Sequence, residues 1–75
     1  MKQKRQITAI IERDGDCYAA LCPELDIASQ GSTVEEARSN LAEAVELFLE
    51  TADPKEIKDR LHDEVFVTRL DVELG

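Results

Sequence analysis

Asp14 and Asp16 flank Gly15, and Asp26 follows Pro23-Glu24-Leu25. Three carboxylates converging on one point are what a metal-dependent nuclease needs, because each cation must be held by several acidic oxygens. Asp14-Gly15 also has the composition of a tight hairpin turn, where both residue types tolerate positive φ, and that structural role takes precedence. Cys17 and Cys22 are five positions apart on one expected strand, which sends their side chains to opposite faces. This spacing does not suit an intrachain disulfide, and two thiols without two further ligands make a poor zinc site. They read as small buried hydrophobes. The single histidine, His62, falls at the end of an expected short helix, where the helix dipole favours a cation. A catalytic histidine needs a nucleophile or metal cluster beside it, and none is apparent in the sequence. The sequence also has no Gly-rich phosphate loop, no paired catalytic carboxylates and no nucleophile elbow. The residue chemistry therefore points to a binding module, not an enzyme, with no cofactor and no metal.

The elements that would position these residues follow from periodicity. Ile7, Ala9 and Ile11 alternate with Thr8, Ile10 and Glu12 as a strand does. After the Asp14-Gly15 turn, Cys17 to Cys22 returns as a second strand that ends or bends at Pro23, which cannot donate to a ladder. Ile27 to Gln30 forms a short third strand closed by Gly31. Thr33-Val34-Glu35-Glu36 is a capping box. Val34, Ala37, Leu41, Ala44, Val45, Phe48 and Ala52 then fall on one helical stripe, predicting a helix from Val34 to Ala52. Asp53-Pro54 opens a second, short helix with Ile57 and Leu61 inward. Phe66, Thr68, Leu70, Val72 and Leu74 alternate with Val67, Arg69, Asp71 and Glu73 as a final strand. The order is strand-strand-strand-helix-helix-strand: an α+β fold, with a mainly antiparallel sheet of three to four strands and both helices on one face. If Ile7, Ala9, Ile11, Phe66, Leu70 and Val72 face the helices, then Ile10, Val65 and Val67 lie on the other face. A half-apolar second face predicts a homodimer or tetramer.

The chain has 75 residues, 43% hydrophobic and 35% charged, with a formal net charge of −8. That length allows one domain, residues 1–75, with a modest core. Lys2, Lys4, Arg5 and Arg13 against Glu12 leave the first thirteen residues basic, and the remainder is strongly acidic. An acidic surface disfavours phosphate backbones, so DNA or RNA is not the expected partner. No apolar run reaches the roughly 20 residues of a membrane span, and no signal-peptide core follows the basic start. A cytoplasmic protein is expected. Glu35, Glu43, Glu46 and Glu50 fall outside the apolar stripe of the long helix, and Leu47 lies about 120° from it at 100° per residue. Glu43, Glu46, Leu47 and Glu50 are the expected contact residues for a basic partner protein.

The stretch from Tyr18 to Glu50 resembles the HicB antitoxin family. The likeness rests on an ordered set: Tyr18 in a strand, Pro23-Glu24-Leu25, Gly31, Thr33, Glu36-Ala37 and Asn40-Leu-Ala-Glu-Ala44. The resemblance implies a partial ribonuclease-H-like fold without nuclease activity. It further implies a type II toxin–antitoxin role, in which the acidic antitoxin binds a small basic HicA-type mRNA-cleaving toxin and occludes its catalytic histidine. Many members of that family continue into a DNA-binding segment; this sequence stops at Gly75 after the expected last strand, so a short form without direct DNA binding is expected. The alternative is an orphan oligomeric binding scaffold with no cognate toxin.

Overall fold

The computed structural model describes residues 6–62 and 64–75; the basic start at Lys2, Lys4 and Arg5 lies outside the described residues. Strands β1 (Ile10–Asp14), β2 (Cys17–Cys22) and β3 (Ile27–Gly31) are followed by helices α1 (Val34–Thr51) and α2 (Pro54–Arg60). The sheet is antiparallel throughout, with β2 central and β1 and β3 at the edges. The fold is α+β, in the strand–strand–strand–helix–helix order expected.

The hairpin closes through Gly15 and Asp16, with Asp14 opposite Cys17. Gly15 has φ 65, and Asp16 is not among the positive-φ residues. A positive φ at the first turn position alone is the pattern of a II′ turn, which matches the twist of the flanking strands. The second turn, Pro23 to Asp26, places Asp26 in the left-handed region at φ 56, a conformation that aspartate tolerates better than most residues.

Side chains alternate across β2. Ala20 and Cys22 are fully buried under α1, against Ala37, Leu41 and Val45 from the helix and Leu25 from the turn. Ile7, Ile11, Tyr18, Ile27, Phe48 and Leu61 pack around this centre. Small residues at Ala20, Cys22 and Ala37 let the helix lie close to the sheet. Gly31 takes this furthest. A Cβ there would sit 2.5 Å from the Ala37 backbone nitrogen, so the close approach of helix to strand requires glycine.

Both helix starts follow their sequence signals. Thr33 Oγ1 accepts from Glu36 N at 3.0 Å, and the Glu36 carboxylate reaches back to accept from Ser32 N at 2.9 Å. Asp53 caps α2 by accepting from Glu56 N at 2.9 Å, with Pro54 in the first turn.

Two expectations are corrected. The first strand begins at Ile10, not Ile7. Continuing the β1–β2 register sets Thr8 opposite Pro23, which has no N–H, and the Thr8 N–H turns to Glu24 Oε2 at 2.8 Å instead. Ala9, expected under the helices, is exposed. The expected final strand over Phe66 to Leu74 joins no sheet: residues 64–75 belong to no strand or helix. Phe66, Leu70 and Val72 are 84%, 81% and 71% exposed, so they do not face the helices. Their alternation is that of a half-buried strand, but the pairing that would bury it is not supplied by the described residues of the same chain.

Candidate partner-binding surface

Helix α1 buries Ala37, Leu41 and Val45 along one line. At 100° per residue, Glu43, Glu46, Leu47 and Glu50 form a band about 100° wide on the opposite side. All four are exposed, Leu47 at 61%. The structure therefore brings the four sequence-predicted contact residues onto one outward surface. Glu46 and Glu50 are like charges one turn apart, and Glu50 lies in the last turn, where no basic residue answers the negative end of the helix dipole.

The face of the sheet turned away from α1 carries a second surface. Register sets Ile10, Leu21 and Ala28 side by side across the three strands. Ile10 and Leu21 are more than one-third exposed. Ile10 was placed on this face by sequence alternation. Leu21 was not singled out, although its opposite parity to Ala20 and Cys22 in β2 carries the same signal. The companions expected here, Val65 and Val67, lie in residues 64–75 instead.

A third feature has no counterpart in the sequence reading. An apolar groove of about 1130 Å³ runs between residues 6–9, α1 and α2, lined by Ile7, Ala42, Val45, Leu49, Ile57 and Leu61 among others. Leu49 is 45% exposed at its wall. The groove is assembled from segments some fifty positions apart, which no local periodicity reports.

The residues with possible chemistry are dispersed or occupied. Asp14 and Asp16 are at the hairpin end of β2 and Asp26 is at the other end, roughly 17 Å away for a six-residue strand. They do not converge. Among the described residues, no three His, Cys, Asp or Glu side chains are grouped to hold a metal ion. Cys17 and Cys22 are both free thiols. Burial pushes the Cys22 thiol above its ordinary pKa, with the Glu24 carboxylate adding to the effect, so it stays a protonated small hydrophobe. His62 is exposed, and its backbone N–H donates to Glu24 O at 2.8 Å.

Glu24 is the junction of the molecule. Its Oε2 accepts from both Thr8 N at 2.8 Å and Thr8 Oγ1 at 2.7 Å, and its Oε1 accepts from Cys22 Sγ at 3.6 Å. Desolvation pulls its pKa upward, but the hydrogen bonds from Thr8 outweigh that, and it rests below the usual carboxylate value. Beside it, Arg60 Nη2 donates to Leu25 O at 3.0 Å and Asp26 O at 3.1 Å, while its guanidinium lies 4.9 Å from the Phe48 ring centre. Asn40 Nδ2 donates to Gln30 O at 2.8 Å, tying α1 to β3. Tyr18 takes Arg13 over its ring and accepts from Arg13 Nη1 at its hydroxyl. The ordered residues from Tyr18 to Ala44 thus have work in the scaffold: end of the ladder, clamp, close approach, cap and core.

Fold and surface together define a small α+β scaffold with a sheet covered on one side, an acidic outer helix face and exposed apolar patches. No known protein-family model matches the chain, and no solved structure matches it. It is similar to UPF0150 protein ssl0738 of Synechocystis sp., 43% identical over 63 residues that cover 80% of this chain and 75% of that protein. A second Synechocystis protein, UPF0150 protein ssr1765, is 44% identical over 52 residues, covering 67% of this chain and 66% of its own. A UPF0150 protein of Helicobacter pylori is 48% identical over 44 residues, covering 57% of this chain and 61% of its own. The chain belongs to the UPF0150 family. No helix among the described residues is long and apolar enough to cross a membrane.

Proposed function

We propose that this chain is a HicB-like antitoxin domain, a non-enzymatic cytoplasmic protein that binds a small basic HicA-type toxin and occludes its mRNA-cleaving site. The observation that carries this reading is the ordered motif set from Tyr18 to Ala44, seated in an α+β scaffold. The outer face of α1 supports the choice of surface. Glu46 and Glu50 repel each other one turn apart, and with Glu43 they form a stripe of acids around the exposed Leu47 that suits a basic partner with an apolar contact at its centre. The net charge of −8 would steer such a partner from a distance.

The test is binding of a small basic HicA-type protein, sought among the open reading frames beside this one, measured by calorimetry at low salt. Reversal of Glu43, Glu46 and Glu50 to lysine should weaken the complex about tenfold or more, with wild-type affinity falling as salt rises. Unchanged affinity in the triple variant would remove this face from the interface. The exposed apolar residues 64–75 favour one further reading, an orphan oligomeric scaffold without a toxin; failure of the neighbouring protein to bind at all would select it.

A further inference from the structure

Half of the large apolar side chains left exposed in the described residues, five of ten, lie in one short stretch: Phe66, Val67, Leu70, Val72 and Leu74. Its residues alternate, Phe66, Leu70, Val72 and Leu74 at one parity and Val67, Arg69, Asp71 and Glu73 at the other, so as a strand it would be largely apolar on one side and charged on the other. It is a strand in pattern without a sheet to join. The same molecule carries an edge without a neighbour. β1 is outermost in the sheet. Its hairpin half is guarded by Glu12, Arg13 and Asp14, as exposed edges usually are. From Gln6 to Ile11 there is no charge at all, and the apolar groove is lined by residues 6–9, which lead into β1 without belonging to the sheet. At about 1130 Å³ the groove exceeds the roughly 300–1,000 Å³ of small-ligand pockets. Its wall on α1, from Arg38 to Leu49, runs roughly 16 Å at 1.5 Å per residue, and a strand crosses that length in about five residues. Phe66 to Leu70 is such a length.

We propose that residues 64–75 of one copy pair as a strand with residues 7–11 of a second copy, extending its β1 edge past Ile10, with Phe66 and Leu70 seated in the groove beside α1, and that the exchange is reciprocal. The occupant is a second copy of this chain because the segment already has the required apolar pattern, yet stands 71–95% exposed at Phe66, Leu70, Val72 and Leu74 instead of filling its own groove. A two-fold arrangement covers both exposed surfaces of both copies with one kind of contact. This is a property of the chain alone and does not rest on the toxin-binding reading.

Sedimentation equilibrium of the full chain should give a particle of twice 8.4 kDa. The double variant Phe66→Asp, Leu70→Asp should raise the dimer dissociation constant by about 100-fold, since both are buried anchors only in the exchanged form. The groove variant Ala42→Asp, Leu49→Asp should do the same. Both variants alter side chains exposed in the single copy, and circular dichroism checks that each is folded. An equimolar mixture of the two variants keeps one intact arm and one intact groove, so it should recover a heterodimer weaker than the wild-type dimer. A wild-type monomer at about 100 µM would overturn the proposal, as that implies an affinity far below a specific dimer's. So would a dimer indifferent to the arm variant, which would place the contact on the Ile10–Leu21–Ala28 face. Two monomeric variants that fail to associate when mixed would overturn it in favour of an arm folding onto its own chain.

Discussion

Replacing Gly31 with alanine would place a methyl carbon 2.5 Å from Ala37 N, 2.8 Å from the Glu36 carbonyl carbon and 2.9 Å from Glu36 Cγ. Two of these neighbours are backbone, and neither is free to yield. Ala37 is fully buried, and its N–H is bonded to Thr33 O at 2.9 Å. Gly31 is itself held opposite Tyr18 in the sheet. Ordinary contact requires the helix start and the strand to separate by about 1 Å. Overpacking of this kind costs about 1–3 kcal/mol, and disturbing the Thr33 cap adds about 1 kcal/mol. The lower entropy of an unfolded alanine offsets about 0.5 kcal/mol. The net is a loss of about 1.5–3.5 kcal/mol, against a total stability on the order of 4–11 kcal/mol for a chain of this length. In a urea titration followed by circular dichroism, the midpoint should fall by roughly 2 M at an unchanged slope. Gly15→Ala is the companion measurement. It has φ 65 but nothing within 4 Å, so only the left-handed backbone penalty of about 1 kcal/mol applies. A Gly31→Ala midpoint equal to wild type, or a larger loss at Gly15 than at Gly31, would refute the close-approach reasoning.

Further outcomes follow from the same structure. Glu24→Gln should lose about 1 kcal/mol at neutral pH, below the usual range for bonds to a charged group because the site is partly exposed. Because the folded pKa of Glu24 lies below its ordinary value, its contribution is present above about pH 4.3 and disappears as pH falls through the folded pKa. The wild type should therefore converge on the variant in urea midpoints taken toward pH 3, and parallel pH profiles would contradict the clamp. Glu50→Lys should raise the thermal midpoint of the isolated chain by roughly 3 °C, by turning the Glu46–Glu50 repulsion into an attractive Glu-to-Lys spacing and complementing the helix C-terminus. A lower midpoint would mean Glu50 serves the fold rather than a partner.

Local signals accounted for most of the architecture. Thr33 and Glu36 placed the start of α1, Asp53-Pro54 that of α2, and Asp14-Gly15 the hairpin, because each acts within four residues of itself. The apolar stripe named Ala37, Leu41 and Val45 correctly as buried. Period-2 alternation was a less complete guide. It identified residues 66–74 as strand-like but carries no information on whether a neighbour exists to pair with them. It also overran the start of β1, where Pro23 on the facing strand ends the ladder. The acidic face was legible because helical spacing fixes which residues share a side. Glu24, Arg60 and Asn40 were not, as actual contacts: each acts on backbone or side chains reached only after the chain folds, up to 35 positions away for Arg60 and Leu25. The groove beside α1 was invisible for the same reason.

Inhibition of a toxin by binding, the proposed function, is read out by growth. Any small basic protein encoded next to this chain would be expressed alone, then together with this chain, then with the Glu43, Glu46 and Glu50 lysine variant. The account predicts arrest by the neighbour alone, restored growth and co-purification with the wild-type chain, and weaker rescue by the folded variant. Unimpeded growth with the neighbour alone, or arrest that this chain does not relieve, would contradict it.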